Sequence, residues 1–269
     1  MTTTNTPQNM SKLKTILILC LLALPTGQLF AWGSTGHRIV AQVAYDNLNC
    51  RARHRLDRIL GKHGIVYWAN WADNIKSDTI YPNSHDWHYQ DFEPNMTDSA
   101  VLSTLIHYPT VGGNLFRASD SLINLLRHDP KNVDALRFII HLTGDRFCPM
   151  HTGHLDDLGG NRVKLTWFKE PYNLHRVWDE GIINAVGYSY SEYAEYLGNR
   201  YSRQKRYIRH LTDEELLLHN YHLTEEIYAY QTTWNGNAFV YVYHFAPALE
   251  WQLYAAGIRL SMILNELYG

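Results

Sequence analysis

Two histidine–aspartate pairs share the spacing that places one side chain above the other on a helix. His141 precedes Asp145 by four residues, and His175 precedes Asp179 by the same interval. Residues i and i+4 lie on one helical face, and imidazole nitrogen and carboxylate oxygen are both zinc ligands. A single pair of this kind is usually a surface hydrogen bond. Two pairs on different helices, however, can direct four ligands into one space, as in the metal sites of helical bundles.

A third histidine and the histidine content of the chain favour a site with more than one metal ion. His151 lies ten residues after His141 and just past Pro149, where the helix must end and the chain must turn back. The chain of 269 residues contains 15 histidines. The two pairs, His151 and this surplus of imidazoles together predict a multinuclear metal site.

The elements that carry these residues are predicted to be helices, because apolar residues recur at helical spacing. Asn132 and Asn173 are candidate N-caps, and Pro149 and Gly187 are candidate stops. The best strand candidate is 162–168, as one arm of a hairpin. We therefore expect an all-α, mainly helical fold that can include one small β-hairpin. The predicted helices are 36–48, 51–60, 133–147, 174–186, 214–234 and 247–267.

The composition is that of a folded, weakly acidic protein. Hydrophobic residues make up 45% and aromatic residues 13% of the chain, which excludes disorder. Lys and Arg number 24 against 26 Asp and Glu, so the formal net charge of −2 excludes a strongly basic duplex-DNA binder that acts by phosphate neutralisation alone. Cys20 would leave with an N-terminal signal. Only Cys50 and Cys148 could then pair, and the fold cannot depend on a disulfide framework.

The N-terminus has the organisation of a secretory signal peptide. Two lysines in 12–14 precede nine consecutive apolar residues at 16–24, and Ala31 is a small residue before the expected cut. The apolar run is too short to span a bilayer. We expect residues 1–31 to be removed and 32–269 to form a single catalytic domain. The mature protein would be secreted or periplasmic, without membrane insertion.

Further motifs, read together with the two pairs, identify a family. In chain order they are Trp32-Gly-Ser-Thr-Gly-His37, Trp71-Ala-Asp73, His88-Tyr89, His141-x3-Asp145-x5-His151, Gly159-Gly160-Asn161 and Asn173-Leu-His175-x3-Asp179. This order and spacing resemble the zinc-dependent, single-strand-preferring nucleases of fungi, plants and bacteria, which are relatives of the bacterial zinc phospholipases C. The resemblance runs from residue 32 to about 180, and 255–265 resembles the last helix of that family.

The resemblance implies three zinc ions per chain. An α-amino group titrates near ~7.7–8.0, so a nearby cation readily leaves it as a nitrogen ligand. Only a chain cut before Trp32 can offer that amine together with the carbonyl oxygen of the same residue. The implied sets are Asp73, His88, His141 and bridging Asp145 for one ion, Asp145, His37 and the Trp32 main chain for its neighbour, and His151, His175 and Asp179 for the third.

The resemblance also implies roles in catalysis and substrate binding. Asp73 would orient the attacking water, and Lys76, one helical turn on, would neutralise charge in the transition state. Tyr89 is a candidate stacking platform for a base, and Gly159-Gly160 would form a turn that aims Asn161 at the substrate. The alternatives are a solvated surface lysine, a core tyrosine and a purely structural turn.

Two choices between neighbouring histidines follow the family pattern. His88 is preferred over His85 because the family's ligand precedes an aromatic residue. His151 is preferred over His154 because of the ten-residue spacing from His141.

The chain departs from the family pattern at two places. Residues 146–148 replace those usually found between Asp145 and the proline, and Glu180 stands where some relatives have an amide near the scissile phosphate. We interpret Cys148 as packing around the site rather than as a ligand. Both departures concern substrate preference rather than the metals.

The expected function is therefore that of a trinuclear zinc endonuclease. It would hydrolyse the P–O3′ bond of single-stranded DNA and RNA to leave 5′-phosphates, and it would also act on 3′-nucleotides as a monomeric 3′-nucleotidase. One alternative is a phospholipase C-like zinc phosphodiesterase, for which a Glu in place of Asp179 would be the marker. The other is a non-catalytic zinc-binding protein that keeps the ligand cage without turnover.

Overall fold

The computed structural model describes residues 32–109 and 111–269, and the predicted signal peptide lies outside these residues. Within them the fold is mainly helical with one two-stranded hairpin, as predicted. The helices are Ser34–Asp46 (α1), Cys50–Leu60 (α2), Gly64–Tyr67 (α3), Trp71–Ile75 (α4), Asp98–Ser103 (α5), Leu115–His128 (α6), Val133–Asp145 (α7), Leu174–Arg176 (α8), Ile182–Val186 (α9), Tyr190–Arg200 (α10), Lys205–His210 (α11), Asp213–Thr233 (α12) and Ala238–Tyr268 (α13).

Local capping explains where the site-bearing helices begin and end. The Asn132 side chain accepts a hydrogen bond from the main-chain N–H of Ala135 at the start of α7, as predicted for an N-cap. The Asn173 side chain does the same for the N–H of Arg176 at the start of α8. Gly187 ends α9 with φ 79°, a left-handed conformation that favours glycine.

The predicted helix at 174–186 is present, but it is not α-helical throughout. Val177–Gly181 forms a π-helical turn between α8 and α9. A π turn holds one more residue than an α turn and is common at functional sites. Here it contains Asp179, so the sequence pattern found the helix but not its change of pitch.

The last helix is longer than predicted. α13 begins after Asn237, whose side chain accepts from the N–H groups of Phe239 and Val240, and it continues through Pro247. The predicted helix begins at Pro247, a residue type that is tolerated in the first turn of a helix. The buried residues Tyr241 and Phe245 lie before the proline, and their packing extends the helix across it.

The hairpin joins β1 (Lys164–Trp167) and β2 (Glu170–Asn173) in antiparallel register, with Trp167 opposite Glu170. Its turn residues Phe168 and Lys169 both have positive φ, as tight hairpin turns require. The observed strand lies inside the predicted 162–168. Because β2 leads directly into α8, the hairpin fixes the start of the helix that carries His175.

The core is centred on α13 and α1. Gly257 of α13 lies at their closest approach, where a Cβ atom would meet the side chain of Val43. This packing fixes α1, which carries His37. Within the described residues, no helix is both long enough and apolar enough to cross a membrane.

Candidate metal centre

The predicted ligands converge in the interior from separate elements. Their side chains come from α1, α4, α7, α8, the π turn, the short turn Pro149–Thr152 and the residue that follows the short turn Ser84–Trp87. All are at least nine-tenths buried, which is unusual for aspartates unless they are paired or bind a metal. They are His37, Asp73, His88, His141, Asp145, His151, His175 and Asp179.

Asp145 lies at the centre of the cluster. Its Oδ1 is 3.3 Å from Nε2 of His37. Its Oδ2 is 3.0 Å from Nδ1 of His88 and 3.4 Å from Nε2 of His141. Oδ1 of Asp73 lies 3.7 Å from the same two nitrogens. The two oxygens of Asp145 therefore face two different groups of donors, which is the geometry that a bridging carboxylate needs.

A second group surrounds Asp179. Nε2 of His175 is 3.1 Å from Oδ2, and Nε2 of His151 is 3.7 Å from Oδ1. The Cys148 thiol donates to Oδ1 over 3.6 Å. Burial and the Asp179 carboxylate raise the pKa of this thiol well above its ordinary value. Cys148 is thus a neutral donor to a candidate ligand, in a position from which sulfur could also reach a metal.

Main-chain carbonyl groups orient three of the imidazoles. A carbonyl oxygen can only accept, so each of these Nδ1 atoms carries the proton and leaves Nε2 to face the carboxylates. Such hydrogen bonds from the outer ring nitrogen are typical of metal-binding histidines. The bonds run from His141 to Ala69 at 2.7 Å, from His151 to His88 at 2.6 Å and from His175 to Gly159 at 2.7 Å.

Several buried polar atoms of the cluster have no hydrogen-bond partner within the described part of the chain. They include Oδ2 of Asp73, Oδ1 of Asp145, Nε2 of His151 and both ring nitrogens of His37. Leaving such atoms unsatisfied costs about 1–3 kcal/mol each. A bound cation would satisfy them together, and a set of imidazole nitrogens and carboxylate oxygens suits zinc.

The charge states fit a cation site. Burial lowers the pKa of His37 to about 4, so its imidazole is neutral near pH 7. For Asp145, burial opposes ionisation, but the charges of His141 and His151, the nearby His37 nitrogen at 3.3 Å and the hydrogen bond from His88 hold its pKa well below the ordinary value. Its carboxylate is therefore ionised.

His151 holds a proton that a metal ion would displace. Burial alone would lower its pKa, but Asp145 and Asp179 raise it to about 9. Without a cation, the proton on this imidazole balances the two carboxylates. Because a metal binds neutral imidazole, occupation of this group must release that proton.

The first residues of the expected mature chain lie against both groups. Trp32 is fully buried, and its indole Nε1 donates to the carbonyl oxygen of Gly144 at 2.8 Å. The N–H of Gly33 donates to the carbonyl oxygen of Asp179 at 2.7 Å. Trp32 and Gly33 therefore contact α7, which carries Asp145, and the π turn, which contains Asp179.

A cavity of about 120 Å³ opens onto the cluster, and the predicted substrate residues line it. Lys76 places Nζ 3.4 Å from Oδ1 of Asp73. Tyr89 is half-buried and donates its hydroxyl to Asp86 at 3.2 Å. Asn161 donates to the carbonyl oxygen of Leu158 at 2.8 Å, as the structural-turn alternative expects, yet it also lines the cavity.

The neighbouring histidines and Glu180 lie outside the cluster. His85 is exposed and lies 3.2 Å from Asp86. His154 stacks on Tyr228 and places Nε2 2.7 Å from Glu225. Glu180 accepts from Arg176 at 2.6 Å rather than lining the cavity.

The sequence analysis missed Asp91. This residue lines the cavity, is 7% exposed, and has an Oδ1 atom with no hydrogen-bond partner among the described residues. Burial raises the pKa of its carboxyl group to about 8. It lies three residues after His88, and that spacing carries no metal-site signal. The orienting carbonyl groups were missed for the same reason, since a main-chain oxygen has no signature in a sequence.

Comparison with known proteins gives consistent matches. The family model described as S1/P1 Nuclease matches residues 32–269. Endonuclease 3 of Arabidopsis thaliana is 26% identical in an alignment of 278 positions that covers 94% of each chain. Nuclease S1 of Aspergillus oryzae is 30% identical over 182 residues, covering 64% of this chain and 63% of the relative. Nuclease P1 of Penicillium citrinum is 29% identical over 158 residues, covering 55% and 57%.

Proposed function

Because this chain belongs to the S1/P1 nuclease family, we propose that it cleaves single-stranded DNA and RNA with three zinc ions bound by its buried histidine–aspartate cluster. Family membership makes it a phosphodiester-hydrolysing nuclease, a hydrolase that acts on nucleic acid. The metal, its stoichiometry and the preferred substrate form the proposal.

The observation that carries the proposal is that main-chain hydrogen bonds fix the orientation of three imidazole rings. His141, His151 and His175 each direct Nε2 towards a buried carboxylate while a main-chain carbonyl holds Nδ1. We assign His37, Asp73, His88, His141, Asp145, His151, His175, Asp179 and the Trp32 main chain to the three ions, as the family resemblance implies.

The reaction is hydrolysis of the P–O3′ bond. Zinc ions held by these histidines and aspartates would supply Lewis-acid stabilisation of phosphate oxygens and would lower the pKa of water. Water gives its oxygen to phosphorus as the P–O3′ bond breaks, and one of its protons passes to the departing O3′, which leaves a 5′-phosphate on one product and a 3′-hydroxyl on the other. Asp73, whose Oδ2 has no partner within the described residues, accepts a hydrogen bond from that water and orients it. Lys76 lies close enough to compensate the charge that develops on phosphate.

The shape and charge of the site favour flexible single strands. A phosphate must enter a cavity of about 120 Å³ whose lining includes the buried residues Asp73, His88, His151 and His175. A single strand can present one phosphate there and place a base against Tyr89, whereas duplex phosphates are held by a stiff helix. A 3′-nucleotide carries a terminal phosphate that could approach the same histidines and aspartates. Bound cations would also let a chain of net charge −2 attract a polyanion.

The proposal includes the maturation of the chain. Removal of residues 1–31 on export would give a secreted or periplasmic protein in which 32–269 form one catalytic domain. A free amine at Trp32 would then complete the second metal set.

A substrate panel on exported protein tests the proposal. We expect fast cleavage of a single-stranded oligonucleotide, slow cleavage of the duplex of the same sequence, release of phosphate from a 3′-nucleotide, and loss of all three reactions with a chelator. His151→Gln should abolish cleavage, and His128→Gln, at an exposed imidazole of α6, is the matched control.

The alternatives give different results in the same panel. Equal rates on single strand and duplex would contradict the substrate assignment. Rapid phosphatidylcholine hydrolysis without nuclease activity would identify a phospholipase-type enzyme. Three bound zinc ions without any turnover would identify a metal-binding protein.

A further inference from the structure

We propose that Tyr228 of α12 is a positioning residue for His175, and that it acts through the turn 157–160. The metal-binding consequence rests on the proposed function. The orientation of His175 is a property of the protein alone and can be measured without metal.

The backbone of this turn has an unfavourable conformation that its surroundings must stabilise. Leu158, Gly159 and Gly160 have φ values of 60°, 60° and 81°, so three consecutive residues lie in the left-handed region. For a branched, non-glycine residue such as Leu158 this conformation is disfavoured and persists only where the surroundings enforce it. A Cβ atom on Gly159 would collide with the carbonyl oxygen of Met150, so the turn is also packed tightly against the 149–152 segment.

Tyr228 ties this turn to α12. Oδ1 of Asp157 accepts two hydrogen bonds, one from the N–H of Gly160 at 2.6 Å and one from the Tyr228 hydroxyl at 2.8 Å. The Tyr228 oxygen also accepts from the N–H of His154 at 3.3 Å. One hydroxyl group therefore links the helix to both ends of the segment that carries the turn.

The phenol ring is itself fixed. It stacks on the imidazole of His154 with a centroid distance of 3.6 Å and an interplanar angle of 9°. Nε2 of that imidazole lies 2.7 Å from Oε1 of Glu225, which is also on α12. The stack holds the phenol ring in place even where the bond to Asp157 is lost. Removal of the hydroxyl alone should therefore leave the position of the ring unchanged.

The turn contacts His175 through one main-chain carbonyl group. The Gly159 oxygen accepts from Nδ1 of His175 at 2.7 Å, and the opposite nitrogen then lies 3.1 Å from Oδ2 of Asp179. If the turn relaxes, this carbonyl moves and the imidazole loses the bond that aims it. Outer partners of metal-binding histidines are worth about 10–100-fold in metal affinity.

The test compares Tyr228→Phe with Tyr230→Phe. Tyr230 lies on the same helix, and its hydroxyl makes no hydrogen bond within the described residues, so its loss controls for removal of a phenol oxygen. The metal-free readout is the Nδ1–H proton resonance of His175 in the NMR spectrum, assigned by its absence in His175→Gln. The second readout is the rate at which each bound zinc ion passes to a chelator.

We expect Tyr228→Phe to shift or broaden the His175 resonance and to accelerate release of one zinc ion of three by about tenfold or more. Tyr230→Phe should do neither, and the melting temperatures of the two variants should be similar. Asp157→Asn keeps an oxygen acceptor and should stay close to the wild type, whereas Asp157→Ala loses both bonds and should have an effect at least as large as that of Tyr228→Phe.

The outcomes separate this inference from the proposed function. An unchanged His175 resonance in Tyr228→Phe would overturn the inference, and so would equal acceleration of all three ions together with a lowered melting temperature. If the wild type binds no zinc, but the His175 resonance still differs between the wild type and Tyr228→Phe, the proposed function is overturned and the positioning role of Tyr228 stands.

Discussion

The indole nitrogen of Trp32 donates a 2.8 Å hydrogen bond to the carbonyl oxygen of Gly144, the residue that precedes Asp145. The N–H of Gly33 bonds to the carbonyl oxygen of Asp179 at 2.7 Å. These two bonds fix the first residues of the expected mature chain between the two carboxylates around which the histidines gather. If the chain is cut before Trp32, as we propose, the new α-amine would therefore lie at the site, and processing should affect metal binding and activity.

A cytoplasmic chain that retains a methionine before Trp32 should bind the second zinc ion weakly. The extra residue converts the α-amine into an amide, which is a poor ligand near neutral pH, and adds bulk beside the cluster. We expect two zinc ions instead of three and a turnover lower by at least about 100-fold. Mass spectrometry identifies the retained methionine, and the exported chain is the control. Equal zinc content and turnover in both preparations would remove Trp32 from the metal set.

Asp145→Asn should lose metal and activity together. The two carboxylate oxygens face different donors, and an amide offers only one oxygen of lower charge. We expect loss of at least one zinc ion by elemental analysis and a drop in turnover of about 100-fold or more. Asp129→Asn, at an exposed carboxylate, is the matched control. Three zinc ions per chain and near-full hydrolysis in Asp145→Asn would exclude the bridging role.

Gly144→Ala should disturb the site without a change of polarity. A Cβ at this position would lie 2.9 Å from Nδ1 of His37, and that ring cannot easily yield because it stacks on His141 at 3.7 Å. We expect weaker zinc binding and reduced turnover.

Gly198→Ala provides the contrast, because a Cβ there meets nothing within 4 Å. Gly198 lies inside α10, where alanine in its place should raise the free energy of unfolding by about 0.5–1 kcal/mol. Urea denaturation and zinc analysis of both variants measure the difference. Full zinc content in Gly144→Ala would show that His37 can move freely.

Zinc affinity should rise with pH through the displacement of the His151 proton. Its pKa of about 9 means that the imidazole is protonated throughout the neutral range in metal-free protein. Below pH 9, binding must release that proton, so affinity at this site should increase by up to about tenfold per pH unit and level off above it.

Calorimetry in two buffers of different ionisation enthalpy counts the released protons. Wild type should release the His151 proton when zinc binds. His151→Gln has no such proton and does not bind the ion at this site, so its count should be lower by that proton. The same count in both proteins would mean that His151 is already neutral in the metal-free state.

The sequence predicted those features whose signals are local. The Asn132 and Asn173 caps lie directly before the helices that they start, and the four-residue spacing of His141 and Asp145 needs no tertiary information. The choice of His88 over His85 rested on family resemblance, and the structure brings His88, rather than His85, to Asp145.

Features that depend on packing were missed. Pro247 signals a helix boundary in any local reading, but buried aromatic residues on its N-terminal side extend α13 across it. Asp91 reaches the cavity through the course of the chain after His88. Tyr228 is separated from Asp157 by 71 residues, a contact that no spacing rule can anticipate.

The three carbonyl groups that aim the imidazoles have a consequence for how this enzyme can diverge. A side-chain partner can be deleted by one codon change, whereas the oxygens of Ala69, His88 and Gly159 exist whatever residue is encoded there. A lineage can therefore exchange many of the surrounding side chains and inherit the same ligand orientation. What selection must preserve is the course of the backbone, and the glycines that allow the 158–160 turn become more critical than any residue that merely touches a ligand.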